Sequence, residues 1–289
     1  MTTITPALDA AEPLALTAPR RGPGAVAAVA GFARRRLALS ARTPRELLVP
    51  VLTPLLFALI IAPALSDTLG GSLGGIDYMT FVAVSTLGLL VPLSATSAGL
   101  GVLVDRLGGA QRDLLAAPVR RSLIVAGNLV VSVALSALQV AVVVGASALR
   151  GAEYEVGATG VAWFAGTALA FAVAMYGVAE ILANRIPTQE EYIGALPVVC
   201  IVPWFVAGSL FPISALPVGL TVVAKVLPLT HVLALLRYGL VDRSGQGLHD
   251  IWGMSDPTAM AALSLAVVVA FAVAMTALSV RVFRRSAVR

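Results

Sequence analysis

The sequence predicts an all-α polytopic membrane protein. Of its 289 residues, 58% are hydrophobic and only 12% are charged, whereas about 25% are charged in an ordinary soluble domain. Several apolar runs also reach the length of about 20 residues that a helix needs to cross a hydrocarbon core. A water-soluble fold cannot bury that much apolar surface, so we expect the chain to fold inside a membrane.

The N-terminal segment, residues 1–30, is rich in Ala, Pro, Thr and Gly and has no sustained periodicity. This composition predicts a flexible cytoplasmic tail, with a twin-arginine export signal at Arg20 and Arg21 as the less favoured alternative. The stretch FARRRLALS follows, and its three arginines are expected to lie on the membrane surface and reach anionic head groups. Residues 31–285 are expected to form one transmembrane domain.

Six apolar runs are predicted to be membrane-spanning helices. They are Leu47–Leu65, Tyr78–Val104, Ser122–Leu149, Thr159–Leu182, Ile193–Leu210 and Thr258–Val280. The connections on one side hold 16 lysines and arginines, and those on the other side hold 4. Because positively charged loops stay in the cytoplasm, both termini are predicted to be cytoplasmic. The single lysine against 19 arginines, with abundant Ala, Val and Gly, favours a GC-rich bacterial genome and hence a bacterial plasma membrane.

The connection between spans five and six, FPISALPVGLTVVAKVLPLTHVLALLRYGLV, is too apolar for a free loop. Pro212, Pro217 and Pro228 divide it into pieces too short to span a bilayer. Two short re-entrant helices would satisfy their own backbone hydrogen bonds within the membrane, and a seventh and an eighth span are the alternative. The isolated His231 and Arg237 in this connection are expected to make local backbone or head-group contacts.

A polar island, VDRLGGAQRDLLAAPVRR (residues 104–121), lies between two long uncharged runs. A helix over Arg106–Ala117 would place Leu107, Leu114 and Leu115 on one stripe, with Arg112 facing elsewhere. The island is longer than a connection between antiparallel helices needs. A simple positively charged loop and an amphipathic surface helix that a soluble partner binds are both consistent with the pattern.

The sequence argues against several other classes of function. A phosphate loop needs Gly-Lys before Ser or Thr, but Lys225 lies between Ala224 and Val226. The chain has two histidines and none of the common metal-ligand or nucleophile motifs, so neither an enzyme nor a bound cofactor is predicted. Cys200 lies in an apolar run and is expected to fill the core. The formal net charge of +5 is explained by arginines at the membrane surface rather than by nucleic-acid binding.

Three stretches resemble ABC-2 type transporter permeases, in particular the drug-resistance exporters that are similar to daunorubicin-resistance permeases. RTPRELLVPVLTPLLFALI resembles the entry to the family's first span, and DRLGGAQRDLLAAPVRRSLIVAGNLV resembles its coupling helix. The segment FVAGSLFPISALPVGLTVVAKVLPLTHVLALLRYGLV is similar to its most diagnostic motif, carried here by Phe205, Gly208, Phe211, Pro212, Leu216, Pro217, Pro228, Leu229 and Thr230. Two positions depart from the family pattern: Gly108-Gly109-Ala110 replaces an acidic residue followed by Gly-Thr, and Leu227 replaces a common Asn.

The resemblance implies the membrane subunit of an ATP-driven exporter of a hydrophobic drug, an antibiotic or a lipid-like molecule, although polysaccharide exporters share the architecture. It implies two separate ATPase subunits, a second permease copy as homodimer or heterodimer, and contact with membrane lipids. The residues implied in coupling to the ATPase are Arg106, Leu107, Gly108, Arg112, Leu114, Leu115 and Pro118.

Glu180 is the clearest ionisable residue inside a predicted span, and such residues often mark ion pathways. Its position near the end of span four favours an acid close to interfacial water over a role in the pathway. An ion-coupled secondary transporter or channel is the alternative function, and a structural or assembly protein without transport activity is the third.

Overall fold

The computed structural model describes residues 24–64, 72–73, 76–117 and 119–286. Its helices are α1 Ala25–Arg42, α2 Pro44–Leu56, α3 Tyr78–Leu107, α4 Ala110–Ala116, α5 Arg121–Leu149, α6 Ala158–Arg185, α7 Gln189–Leu196, α8 Val202–Val206, α9 Val218–Val226, α10 Pro228–Leu240, α11 Gln246–Trp252 and α12 Pro257–Ser286. Two-residue strands β1 (Ser72–Leu73) and β2 (Ile76–Asp77) pair antiparallel.

Among the described residues, four helices, α3, α5, α6 and α12, are long and apolar enough to cross a membrane. They correspond to the predicted spans two, three, four and six. The Asp77 carboxylate begins α3 by accepting a hydrogen bond from the Thr80 N–H at 2.8 Å, as an N-terminal cap does. The prediction of an all-α polytopic membrane protein is confirmed by these four helices.

The first predicted span forms a shorter apolar helix, Leu48–Ala64. Pro50 and Pro54 lie inside it, and each removes one backbone hydrogen bond of the helix. A π-helical turn, Phe57–Ile61, follows these prolines. The predicted end of this span, residue 65, lies outside the described residues.

The fifth predicted span is also interrupted. Its helical path begins at Gln189, where Thr188 caps α7 by accepting the Glu191 N–H at 3.2 Å, passes through a π-helical turn at Pro197–Ile201 and ends with α8. The path therefore starts and ends four residues earlier than expected. A count of six spans stays a prediction.

The connection between spans five and six contains a three-residue turn of 3-10 helix, Ile213–Ala215, and then α9 and α10. The axes of α9 and α10 are bent by 80° at Leu227. Pro217 immediately precedes α9 and Pro228 is the first residue of α10, positions where the missing N–H of proline costs no helical hydrogen bond. The expected pair of short helices is present, and its depth in a membrane stays a prediction.

Helix α6 lies at the centre of the bundle and packs against α3, α10 and α12. The largest buried side chain, Trp204 of α8, packs in this core and donates a hydrogen bond to the Ser85 carbonyl at 2.8 Å. Cys200 is fully buried in the same core.

The predicted connections meet at two ends of the bundle. At the arginine-rich end, the Arg106 side chain contacts the Ile186 carbonyl, and Arg121 donates to the Arg284 carbonyl at 3.3 Å. At the opposite end, the Glu155 N–H donates to the Leu240 carbonyl at 2.7 Å. Segments that were predicted to share a side of the membrane therefore share an end of the bundle.

Most of the predicted N-terminal tail, residues 1–23, lies outside the described residues. Residues 25–30, expected to belong to the tail, instead form the first turns of α1. Helix α1 packs against α5. A Cβ at Gly127 of α5 would lie 2.5 Å from the Phe32 Cβ of α1, so this close approach of the two helices requires a glycine.

Candidate functional site

The polar island forms two helical segments rather than the single helix predicted over Arg106–Ala117. Helix α3 continues through Arg106 and Leu107, and the Gly108 N–H ends it by donating to the Val104 carbonyl at 2.8 Å. Gly109 then adopts a left-handed φ of 82°, which glycine reaches without steric cost. The Gly-Gly pair thus breaks the helix. Leu107 is 51% exposed, so the predicted three-leucine stripe is wrong at this residue.

Helix α4 has one face on the bundle and one face in the open. Leu114 and Leu115 are half-buried and pack against a cluster formed by the ends of three long helices. The cluster consists of Ile124, Val125, Tyr176 and Phe283. Arg112 and Asp113 are exposed. Pro118, which was expected to end the helix, lies outside the described residues. The amphipathic character predicted for the island is therefore present in α4.

The end of α3 is tied to two neighbouring helices. Arg106 donates a hydrogen bond to the Ile186 carbonyl, just beyond α6. The preceding residue, Asp105, accepts two hydrogen bonds from Arg35 of α1, at 2.9 and 3.0 Å. The hydrogen bonds to Asp105 raise the pKa of the Arg35 guanidinium. The guanidinium of Arg35 binds this acid while its side chain stays 33% exposed, so the expected contact of Arg35 with lipid head groups stays a prediction.

Arg36 turns into the bundle and is only 4% exposed, which contradicts a head-group contact. Its Nη2 donates to the Ala98 carbonyl of α3 at 2.9 Å. A Cβ at Gly101 would overlap both terminal guanidinium nitrogens of Arg36. The small residues on this turn of α3 therefore create the space that the arginine fills. Arg34 is exposed, in agreement with the prediction for that residue.

Glu180 is completely buried in α6, so the interpretation of an acid near interfacial water is wrong. The Tyr176 hydroxyl donates to its Oε2 at 2.6 Å, and the Asn184 Nδ2 donates to its Oε1 at 3.3 Å. The buried Arg36 interacts electrostatically with the same carboxylate. A buried charge is tolerated when such partners surround it. The sequence pointed to Glu180 but not to these partners, because Arg36 lies on another helix.

The motif residues gather at the opposite end of the bundle. Gly208 has a φ of 79° and a Cβ there would lie 2.7 Å from the Ile213 Cγ2, so only glycine fits without strain. Its carbonyl accepts a hydrogen bond from Arg237 Nη2 at 2.7 Å. Arg237 also donates to the Ser85 hydroxyl of α3 and lies 3.7 Å from the centre of the Phe81 ring. Arg237 thereby joins α10, α3 and the turn after α8.

The other motif residues shape the same end. Phe205 and Phe211 are exposed, Leu216 is partly buried against the core, and Leu229 and Thr230 are buried. Pro212, Thr230 and Arg237 line a cavity of about 100 Å³. His231 is within 3.1 Å of both the Ser264 hydroxyl and the Lys225 carbonyl. The motif thus builds a structural cap in which the polar groups of His231 and Arg237 contact protein, as expected.

A family comparison gives the class to which this architecture belongs. The model of the ABC-2 type transporter family matches residues 29–241, which include most of α1, the island and the capped end. The chain belongs to the ABC-2 type transporter family. No curated protein matches it. Members of the ABC-2 family are membrane components of transporters, so the chain is a multi-pass membrane protein whose family implies pairing with an ATP-binding cassette ATPase. The matched region contains both α4 and the Arg35–Asp105 pair.

Proposed function

We propose that this chain is the permease subunit of an ATP-binding cassette exporter of the drug-resistance branch. It moves a hydrophobic drug, an antibiotic or a lipid-like molecule out of a bacterial cell, using separate ATPase subunits. Two permease copies form the pathway, both termini face the cytoplasm, and the arginine-rich end meets the ATPases. The observation that carries this proposal is α4, a short helix seated on the ends of three long helices with its charged face exposed.

Helix α4 is suited to transmit motion because it is anchored on one face and free on the other. Leu114 and Leu115 pack against the apolar cluster of Ile124, Val125, Tyr176 and Phe283, while Arg112 and Asp113 remain available to a soluble partner. The ATPase can shift the permease between two states only by binding them with different free energies. A partner that holds α4 differently in the two states would supply that difference.

The polar contacts around α4 direct this motion into the bundle. Because Gly109 separates α4 from α3, α4 can rotate without bending the long helix. Arg106 links the end of α3 to α6, and Asp105 links it to α1. A displacement of α4 would therefore be shared by three helices at once.

An apolar cleft supports a hydrophobic cargo. It has a volume of about 280 Å³ and lies between α3, α5 and α6. Its lining includes Val133, Ala137 and Ala141 of α5 and Phe164, Ala168 and Leu169 of α6. Sites for small molecules are concave and mainly apolar, with volumes from about 300 Å³ upward. This cleft is close to that range and could hold part of an apolar molecule.

Site-specific cross-linking tests the docking of the ATPase. Cys200 is fully buried, so Arg112→Cys adds an accessible thiol that can carry a photoactivatable cross-linker in native membranes. We expect the cross-linked partner, identified by mass spectrometry, to be an ATP-binding cassette ATPase. The matched control is Val156→Cys, exposed at the opposite end, which should give no such product.

Three results would contradict the proposal. Equal cross-linking of the ATPase at both positions would show that contact is unspecific. Export driven by an ion gradient in vesicles that contain only this chain would favour the secondary transporter. ATP hydrolysis by the purified chain without a partner would contradict the assignment of hydrolysis to a separate subunit.

A further inference from the structure

We propose that the arginine-rich end carries a binding site for the phosphate of an anionic phospholipid, between the start of α5 and the end of α12. A cleft of about 570 Å³ lies there. Its lining includes Arg121, the first residue of α5, and Arg120 immediately before it. Arg284 of α12 also lines it. Three guanidinium groups from two distant parts of the chain thus meet around one open volume.

No acidic side chain of the described residues neutralises the charge of the cleft. Within the part of the chain that the structure describes, none of these three arginines forms an ion pair with an acidic side chain. The Arg121 guanidinium donates to the Arg284 carbonyl at 3.3 Å, which holds the two ends of the cleft together and leaves its remaining N–H groups available. Guanidinium groups bind phosphate oxygens in pairs of parallel hydrogen bonds.

The start of α5 adds to this attraction. No side chain caps the first turn of α5, and the first N–H groups of a helix have no partner inside the helix. The helix dipole makes such an end favourable for an anion. Cleft and helix end therefore favour the same ligand, a group that carries negative charge on oxygen.

The apolar walls of the cleft favour a lipid over a soluble anion or an acidic protein. Val119 and Val280 line it beside the arginines. The two helices that form it are the least buried of the four long ones: only 33% of the most apolar stretch of α5 and 22% of that of α12 are buried, against 67% for α3. The cleft thus lies at the polar ends of two helices whose apolar sides face outward. A phospholipid matches this arrangement, with its phosphate at the arginines and its acyl chains along the helices.

Native mass spectrometry of the full chain in neutral detergent tests the site, with added phosphatidylglycerol or phosphatidylcholine of the same acyl chains. We expect phosphatidylglycerol to bind about 100-fold more tightly. Since each basic residue near a membrane surface contributes about a five-fold gain in binding, the triple variant Arg120→Gln, Arg121→Gln, Arg284→Gln should weaken phosphatidylglycerol binding about 100-fold. Phosphatidylcholine has the same phosphate but no net charge, so its binding should weaken by less than about five-fold.

A second triple variant removes the same charge from exposed arginines elsewhere at this end: Arg34→Gln, Arg42→Gln, Arg185→Gln. It should keep its affinity for phosphatidylglycerol within about three-fold. The single variant Arg120→Gln changes only an exposed side chain and should cost about five-fold, so a loss of folding in the triple variant would not hide the result.

Each remaining outcome overturns the site. Equal weakening in both triple variants would mean that only the general positive field attracts the lipid. Displacement of the lipid by millimolar inorganic phosphate would mean a site for the free ion. Unchanged lipid binding together with loss of the co-purifying ATPase would mean that the cleft is a protein interface. The lipid measurement does not need the ATPase, so it can succeed even where the proposed exporter function fails.

Discussion

Arg35 of α1 and Asp105 of α3 form an ion pair with two hydrogen bonds, at 2.9 and 3.0 Å. The pair lies one turn before the Gly108-Gly109 break that leads into α4. It therefore joins the helix at the N-terminal side of the bundle to the part of α3 that would receive motion from the ATPase.

Removing the acid should loosen α1. Asp105→Asn leaves the partly buried Arg35 without its ionic partner, and hydrogen bonds between charged groups contribute about 1.5–3 kcal/mol when buried and less when exposed. We expect the free energy of unfolding to fall by about 1–2 kcal/mol, measured as a lower thermal midpoint of the full chain in detergent. Asp113→Asn, a change at an exposed acid of α4, is the control. Equal effects of the two changes would mean that the ion pair contributes no stability of its own.

Gly101 should be required for the position of Arg36. In Gly101→Ala the new Cβ would overlap the guanidinium of Arg36, which must then move from the buried position where it donates to the Ala98 carbonyl. We expect faster trypsin cleavage at Arg36 and a loss of about 1–3 kcal/mol, as in other overpacked interiors. Thermal unfolding and timed digestion measure the two effects.

The matched control is Gly145→Ala in α5, where no heavy atom lies within 4 Å of the added Cβ. The same substitution there should be neutral or stabilising by up to about 1 kcal/mol, because alanine favours helix over glycine. If both variants are equally stable and equally resistant to trypsin, Arg36 does not depend on the space at Gly101.

The contrast between Glu180 and Arg36 shows how far the sequence could predict this fold. The long helices were predictable because the length of each uncharged run matches the thickness of the hydrocarbon core that a helix must cross. The environment of Glu180 was not, since it includes Arg36, a residue of another helix that sequence order does not bring near it. The break in the island was visible as Gly108-Gly109, but the regular spacing of Leu107 and Leu114 favoured a continuous helix. Tertiary packing, rather than local pattern, decided these details.

The orientation of the two ends is open to a direct test. Because the connections at the arginine-rich end hold most of the positive charge, a reporter fused after Arg289 should give a cytoplasmic signal. A reporter inserted at Asp77, at the opposite end of the bundle, should give an exterior signal. Enzyme reporters that are active on only one side of the membrane make this measurement, and a cytoplasmic signal at Asp77 would contradict the predicted topology.

The two half-buried leucines of α4 should be needed for coupling but not for insertion. Leu114→Ala with Leu115→Ala removes apolar contact that contributes about 2–5 kcal/mol for each fully buried leucine and correspondingly less here. Since the long helices do not depend on α4 for their apolar length, we expect normal membrane levels of the double variant. Co-purification of the ATPase should weaken and cargo export should be lost, as measured by pull-down and by efflux from intact cells.

Leu107→Ala is the control for this double variant, because Leu107 belongs to the same island but is 51% exposed and lies before the Gly109 break. Its removal should leave both ATPase binding and export within about two-fold of the parental values, since surface substitutions change stability by only about 0.5 kcal/mol. Parental export by the double variant with its ATPase still bound would mean that the island only holds the topology of the spans. A loss of export in the Leu107 variant as large as in the double variant would place the coupling contact at the end of α3 instead of on α4.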